Sequence, residues 1–323
     1  LMLSMDIAHP DVEAFTTIKQ DLMQVTGANI SLRLSDEFMK AVDNDTEYTH
    51  RWPIDSDNPK FTKTIQAREL WNTIIQCAHN TAEPGLIYWD RQHWYSTSSV
   101  YPGYENTSTN PCSEIAMQGG DSCRLIALNL FKFVEDPFTP QAKFNMKKFY
   151  KATYEGQRLM DDLVDLEVEA IERILRKVEN DDEPESIKFV EKETWELLLK
   201  TGKEGRRTGL GFTALADMIA SLGMKFDSDE SIGFIEKVMK EKCRAEFDCS
   251  IDMSLERGSF IGFNKEIEEK SEFVQMLKIE LPEVYKRMMK FGRRNISIST
   301  VAPTGTLSML AQTSSGIEPV FMT

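Results

Sequence analysis

Residues 28–42, ANISLRLSDEFMKAV, carry the pattern that decides the fold class. Ile30, Leu32 and Leu34 alternate as on one side of a strand. Ser35 follows with Asp36 and Glu37 behind it, which reads as a hydroxyl cap and an acidic first helical turn. The same order occurs upstream, where LMLSMD alternates, turns at His9-Pro10 and gives way to DVEAFTTIKQDL at helical spacing. Strands alternating with helices predict an α/β architecture.

Working outward, TKTIQARELWNTIIQCAHN (62–80) spaces Ile65, Leu70, Trp71, Ile74 and Ile75 as a helix, with Cys77 as a packing residue on it. GLIYWD reads as a strand, and the polar stretch from Arg91 to Asn110 as a loop near a functional region. CRLIALNLFKFV (123–134) is nearly continuous apolar sequence, as expected of a strand covered on both faces. From Phe144 to Val178 the stripe Phe149, Ala152, Leu159, Leu163, Leu166, Ala170 and Ile174 predicts a long helix. ENDDEPES (179–186) is an acidic exposed loop. Helices are expected at 212–222, 229–247 and 266–290, and the strand NISISTVA leads into the turn PTGT. One large domain is the simpler reading of 323 residues.

Composition excludes several classes. A formal charge of −14, from 38 basic and 52 acidic residues, disfavours bulk nucleic-acid binding but leaves room for a small phosphorylated ligand in a local pocket. No run approaches the roughly 18 apolar residues of a membrane helix, and no signal peptide opens the chain, so a cytoplasmic protein is expected. The five cysteines, Cys77, Cys112, Cys123, Cys243 and Cys249, include no CxxC pair and suit neither a disulfide framework nor zinc. The four histidines form no HxH or HxxxH pattern, so no metal site is expected. The chain opens at Leu1 inside an apolar stretch and stops just after GIEPVFMT; both ends read as cut.

The stretch richest in chemistry is Asn110-Pro111-Cys112-Ser113-Glu114. Pro111 disfavours helix at Asn110, and in an extended segment Asn110, Cys112 and Glu114 share one face at steps of roughly 7 Å. An amide, a thiol and a carboxylate at that spacing suit radical abstraction on a sugar ring: the thiol exchanges a hydrogen atom, the carboxylate takes a hydroxyl proton and the amide fixes a second hydroxyl. The plain alternative makes Cys112 a buried small residue and Glu114 a strand-edge charge.

Cys123, after the turn GGD, is either a redox partner in the same pocket or core filler. Ala302-Pro303-Thr304-Gly305-Thr306 is either a turn presenting backbone N–H groups to a phosphate or an ordinary capped strand-to-helix turn. Gly209-x-Gly211-x-x-Ala214 lacks a preceding apolar strand and is not read as a dinucleotide fingerprint. Cys243 and Cys249, six apart on a helical stretch, are read as structural.

Taken together these motifs resemble the large, catalytic subunit of ribonucleotide reductases. The family's Asn-x-Cys-x-Glu finger loop matches Asn110, Cys112 and Glu114, its second redox cysteine matches Cys123, and its substrate-phosphate turn matches PTGTLS. TSSGIEP (313–319), RRTGLGFTALADMIASLG and FGRRNIS extend the likeness along the chain.

The resemblance implies that residues 1–323 are an incomplete part of a ten-stranded α/β barrel, with the radical cysteine on a central finger loop and both flanks missing. It implies reduction of ribonucleotides to 2′-deoxyribonucleotides for DNA precursor synthesis. Cys112 becomes the thiyl radical that removes the 3′ hydrogen, Glu114 the base on the 3′ hydroxyl and Asn110 a partner of the ribose hydroxyls. Cys123 is one of two reducing thiols, and Pro303, Thr304, Gly305 and Thr306 hold the substrate phosphates. NPC and PTGT look like the adenosylcobalamin-dependent class; the alternative is the class that takes its radical from a metal-containing partner subunit. Implied partners are a ribonucleoside di- or triphosphate, nucleotide effectors, a thioredoxin-like or dithiol reductant, the missing flanking segments and a second copy in a homodimer, with no nucleic acid or membrane.

The family's partner redox cysteine and shuttle cysteines lie outside this stretch, so the 323 residues alone are expected to be inactive. Rival readings are a nucleotide-binding fragment that acts only in assembly, a glycyl radical enzyme, disfavoured by NPCSE and PTGT, and a plain thiol oxidoreductase using Cys112 and Cys123.

Overall fold

A computed structural model describes residues 1–319; the last residues of the apolar end, 320–323, lie outside them. The chain is of the α/β class and divides into two units, residues 1–95 with 108–116, and residues 96–107 with 117 onward.

The first unit is built on a parallel sheet in the order Met2–Asp6, Asn29–Leu34, Gly85–Tyr88. Ser35 Oγ accepts from Phe38 N at 3.2 Å and starts the helix Asp36–Asn44, as its sequence predicts. The helix expected over 62–80 is two elements: Phe61–Gln66 pairs antiparallel with Glu47–Trp52, and the helix begins at Ala67 and runs to Thr81. Ile65 has the apolar character of either state, and the hairpin partner decides the matter. Leu32, Leu34, Phe38, Val42 and Ile74 form the core, and Cys77 is buried on the helix as a packing residue.

In the second unit Gly209–Thr213 lies parallel to Leu125–Asn129 and is flanked along its other edge by the extended residues 297–300. Leu210 N donates to Ile298 O at 3.0 Å, and Thr300 N donates to Leu210 O at 3.2 Å. Only the bridge Leu210–Ser299 survives of the strand expected in NISISTVA. The strand expected over 123–134 is confined to Leu125–Asn129 and is half-buried, because one face lines an open cavity and Leu130–Phe133 coils into a 3₁₀ turn.

The long helix runs Met146–Glu179, but its buried face follows the expected stripe only at its start, where Phe149 is buried and Ala152 packs against the core. Leu159 and Leu166 are 58% and 59% exposed, whereas Gly156, Gln157, Met160 and Asp161 face inward. Gly156 permits the close approach: a Cβ there would come within 3.3 Å of Leu210 Cδ1. Asp161 takes Arg206 Nε at 2.8 Å and Asn295 Nδ2 at 2.8 Å, so a buried charge network occupies the place of aliphatic packing. The acidic connection is shorter than expected, with a helix beginning at Glu185 and running to Gly205.

Asp229–Arg257 is one continuous helix opened by a capping box at Ser228. The region 266–290 breaks into Lys265–Glu268, Glu272–Glu280 and Pro282–Phe291. Lys242 reaches under the parallel strands, its Nζ donating to Leu210 O at 2.7 Å, Ser299 Oγ at 2.6 Å and Glu246 Oε1 at 2.5 Å. Among the described residues no helix is long and apolar enough to cross a membrane.

Candidate active site

The segment around Cys112 is a closed turn, not the extended row its proline suggested. Ser113 N donates to Asn110 O at 2.9 Å, Asn110 N to Ile115 O at 3.1 Å, and Ile115 N to Asn110 Oδ1 at 3.0 Å. Ser113 takes a left-handed φ of +65° to close it. Pro111 still restricts Asn110, but its fixed φ equally suits the second position of a turn.

The turn nevertheless assembles the expected groups. Asn110 Nδ2 donates to Glu114 Oε2 at 2.5 Å, and Cys112 is exposed on the loop between them. Gln92 Nε2 donates to Ser113 O at 3.1 Å and fixes the loop from outside. Desolvation, helped by the Glu114 charge, pushes the Cys112 thiol above its ordinary value. It is therefore held as S–H, the form that gives up a hydrogen atom and not an electron pair.

Cys123 and the turn Ala302–Thr306, expected to hold phosphate, belong to the second unit. Cys123 is exposed, two residues before the strand Leu125–Asn129. The helix after the turn begins at Gly305, two residues before the expected Leu307, and ends at Ala311. Thr304 is buried and Thr306 is exposed. A cavity of about 420 Å³ is lined by Leu125, Ile126 and Ala127 on one side and Ala302 to Leu307 on the other, with Gly211 at its floor. The chain that carries Cys123 thus continues directly into one wall of the cavity beside this turn. Gly209 and Gly211 lie inside a strand, which removes the dinucleotide reading of that motif.

No pattern in the sequence points to what braces this turn. Thr304 Oγ1 lies 2.7 Å from Thr213 Oγ1 and accepts from Gly316 N at 2.8 Å. Thr213 Oγ1 donates to Ser314 O at 2.9 Å, and Ser314 N donates to Asp217 Oδ2 at 2.6 Å. TSSGIEP is therefore a strap across the turn. Single hydroxyl contacts between residues some ninety positions apart leave no periodic trace in a sequence.

The other cysteines are packing residues. Burial pushes the Cys243 and Cys249 thiols each up to about 12, and raises Cys77 as well, which leaves them unreactive. No group of three His, Cys, Asp or Glu side chains among the described residues is placed to hold a metal ion.

The ribonucleotide reductase barrel domain family matches residues 1–323. The chain is 32% identical over 317 residues to a vitamin B12-dependent ribonucleoside-diphosphate reductase of Thermoplasma acidophilum, covering 97% of this chain and 34% of that protein. It is 26% identical over 323 residues to the enzyme of the same name from Mycobacterium tuberculosis, covering 99% and 39% respectively. A vitamin B12-dependent ribonucleotide reductase of Streptomyces clavuligerus is 24% identical, with 98% and 35% covered. The chain thus spans somewhat over a third of the length of these relatives. With its match running from the first residue to the last, the chain belongs to the ribonucleotide reductase barrel domain family.

Proposed function

We propose that the protein of which this chain is a part reduces ribonucleotides to 2′-deoxyribonucleotides by thiyl-radical chemistry. The observation that carries the reading is the Asn110–Ile115 turn, which sets an exposed, protonated thiol beside a carboxylate and an amide already hydrogen-bonded to each other. In this reading residues 1–323 are one incomplete domain, contributing strands to a ten-stranded barrel whose finger loop is that turn.

Cys112 gives up its hydrogen atom and then takes the 3′ hydrogen of the ribose. Glu114 accepts the proton of the 3′ hydroxyl, and Asn110 orients both the carboxylate and the ribose. Cys123, with a second thiol elsewhere in the protein, supplies the two electrons and two protons that release the 2′ hydroxyl as water. The turn Pro303–Thr306 receives the substrate phosphates in the cavity beside Leu125–Ala127.

The relatives named above support a vitamin B12 cofactor and a ribonucleoside diphosphate substrate. Adenosylcobalamin would supply the radical initiator when bound. The Cys112 site fits that chemistry, because its thiol is exposed and keeps its hydrogen. A thioredoxin-like or dithiol reductant, nucleotide effectors and a second copy of the protein complete the proposed assembly.

The test uses the complete protein with a ribonucleoside diphosphate, a dithiol and adenosylcobalamin, beside Cys112→Ala. Deoxynucleotide formation that needs the cobalamin and disappears in the variant supports the reading. Turnover only on addition of a metal-loaded partner subunit overturns the cofactor, and turnover by Cys112→Ala overturns the radical role.

A further inference from the structure

The residues on either side of Cys123 are anchored in an unusual way. Asp121–Arg124 lies outside any strand or helix, yet both end residues are charged and buried, Asp121 with 1% and Arg124 with 6% of the side chain exposed. Asp121 Oδ2 accepts from Arg207 Nε at 2.6 Å, and Arg207 is itself 1% exposed. Arg124 Nη1 donates to the main-chain oxygen of the same Arg207 at 2.8 Å, and its Nε pairs with Glu167. Ser122 Oγ also donates to Glu167, so one carboxylate holds the residues before and after Cys123. Gln118 Oε1 and Ser98 Oγ take Arg207 Nη2 at 2.9 and 3.2 Å and fix the guanidinium in turn.

Burying charge for a short unstructured segment is costly unless every group is matched, and an apolar loop would fold at least as well. What the ring of contacts adds is placement. Asp121, Ser122 and Arg124 all point into it, and the one side chain left exposed is the thiol of Cys123.

We propose that Glu167, with the Arg207–Asp121 pair behind it, is a positioning residue for Cys123, holding the thiol at the distance and orientation needed to close a disulfide during turnover. This rests on the reductase reading. Glu167 touches no reacting atom; it acts through Ser122 and Arg124. It lies on the long helix Met146–Glu179 and is 26% exposed, so truncating it leaves the helix and core intact.

The experiment compares Glu167→Ala in the complete protein with Glu172→Ala, which removes another carboxylate of the same helix that pairs with Lys203 at 2.6 Å. Alkylation of Cys123 is followed by mass spectrometry, with Cys112 in the same sample as internal reference, and kcat and KM are measured with dithiol. In Glu167→Ala the segment loses the carboxylate that holds Ser122 and Arg124 and is looser, so Cys123 alkylation rises about threefold with Cys112 unchanged. The same variant loses about tenfold in kcat with KM for the nucleotide unchanged. Glu172→Ala matches the unsubstituted protein in all three. Unchanged Cys123 alkylation, or changed alkylation with full kcat, overturns the proposal. If the unsubstituted protein makes no deoxynucleotide, the reductase reading is what fails, and the Cys123 alkylation rates alone decide whether Glu167 places the thiol.

Discussion

The Nδ2 of Asn110 lies 2.5 Å from Oε2 of Glu114, and the other end of the same amide accepts from Ile115 N at 3.0 Å. One side chain therefore closes the turn and orients the proposed base. Replacing Asn110 by Asp sets two carboxylates against each other, and like charges at this range hold one of them protonated to higher pH. Asn110→Asp should shift the acid limb of the kcat profile upward by about one pH unit. A variant profile that superimposes on the original separates Asn110 from the base.

The thiol of Cys112 offers a second pH test that does not need turnover. Desolvation and the Glu114 charge both raise it, and only the thiolate is alkylated. The alkylation rate of Cys112 should therefore still be climbing above pH 9, beyond the usual thiol value of about 8.5. Glu114→Gln removes the charge and leaves the desolvation, so its curve should move to lower pH. An unchanged curve in that variant means the carboxylate does not act on the thiol.

Local chemistry made much of the first unit legible, the hairpin strand Phe61–Gln66 and the Asn110–Ile115 turn excepted. The Ser35 cap, the alternation in Asn29–Leu34 and the buried Cys77 all follow from short-range pattern. The long helix was legible in extent and not in facing, because its inner face carries Asp161 and Gln157, whose partners Arg206 and Asn295 are distant in sequence. The residue types of the site could be read around Cys112, but its shape could not. Pro111 constrains one neighbour, whereas the turn is made by Asn110 bonding to its own loop. The strap across Thr304 and the anchors of Cys123 depend on side-chain pairs between distant segments, which no window of sequence displays.

The Lys242–Glu246 pair, 3% and 1% exposed, joins the helix Asp229–Arg257 to Leu210 and Ser299. Lys242→Met leaves a buried carboxylate without its cation and should destabilise the fold by about 3–5 kcal/mol. Burial raises the Glu246 carboxyl, so the native state binds that proton more tightly than the unfolded chain and stability falls as pH rises through the interval between the two values. The deficit of Lys242→Met in equilibrium denaturation should accordingly shrink as pH falls through the raised Glu246 value and the carboxyl takes up its proton. Adding Glu246→Leu should recover most of it at neutral pH; a double variant as weak as the single one would show that the loss lies in packing and not in the orphaned charge.

The two threonines of the proposed phosphate turn should divide the work between stability and binding. Thr304 is buried, and its hydroxyl is engaged with Thr213 at 2.7 Å and Gly316 N at 2.8 Å, whereas Thr306 is exposed at the cavity wall. Thr304→Ala strands a buried N–H and should cost about 1–3 kcal/mol of stability. Thr306→Ala should leave the denaturation midpoint in place and raise KM for the nucleotide about tenfold, the loss of one hydrogen bond to a charged phosphate. Thr304→Val separates shape from hydrogen bonding, since it keeps the volume and lacks the acceptor for Gly316 N. If Thr304→Val melts like the unsubstituted chain, the strap of Ser314–Gly316 is held by packing alone, and Thr304 is free to serve the substrate directly.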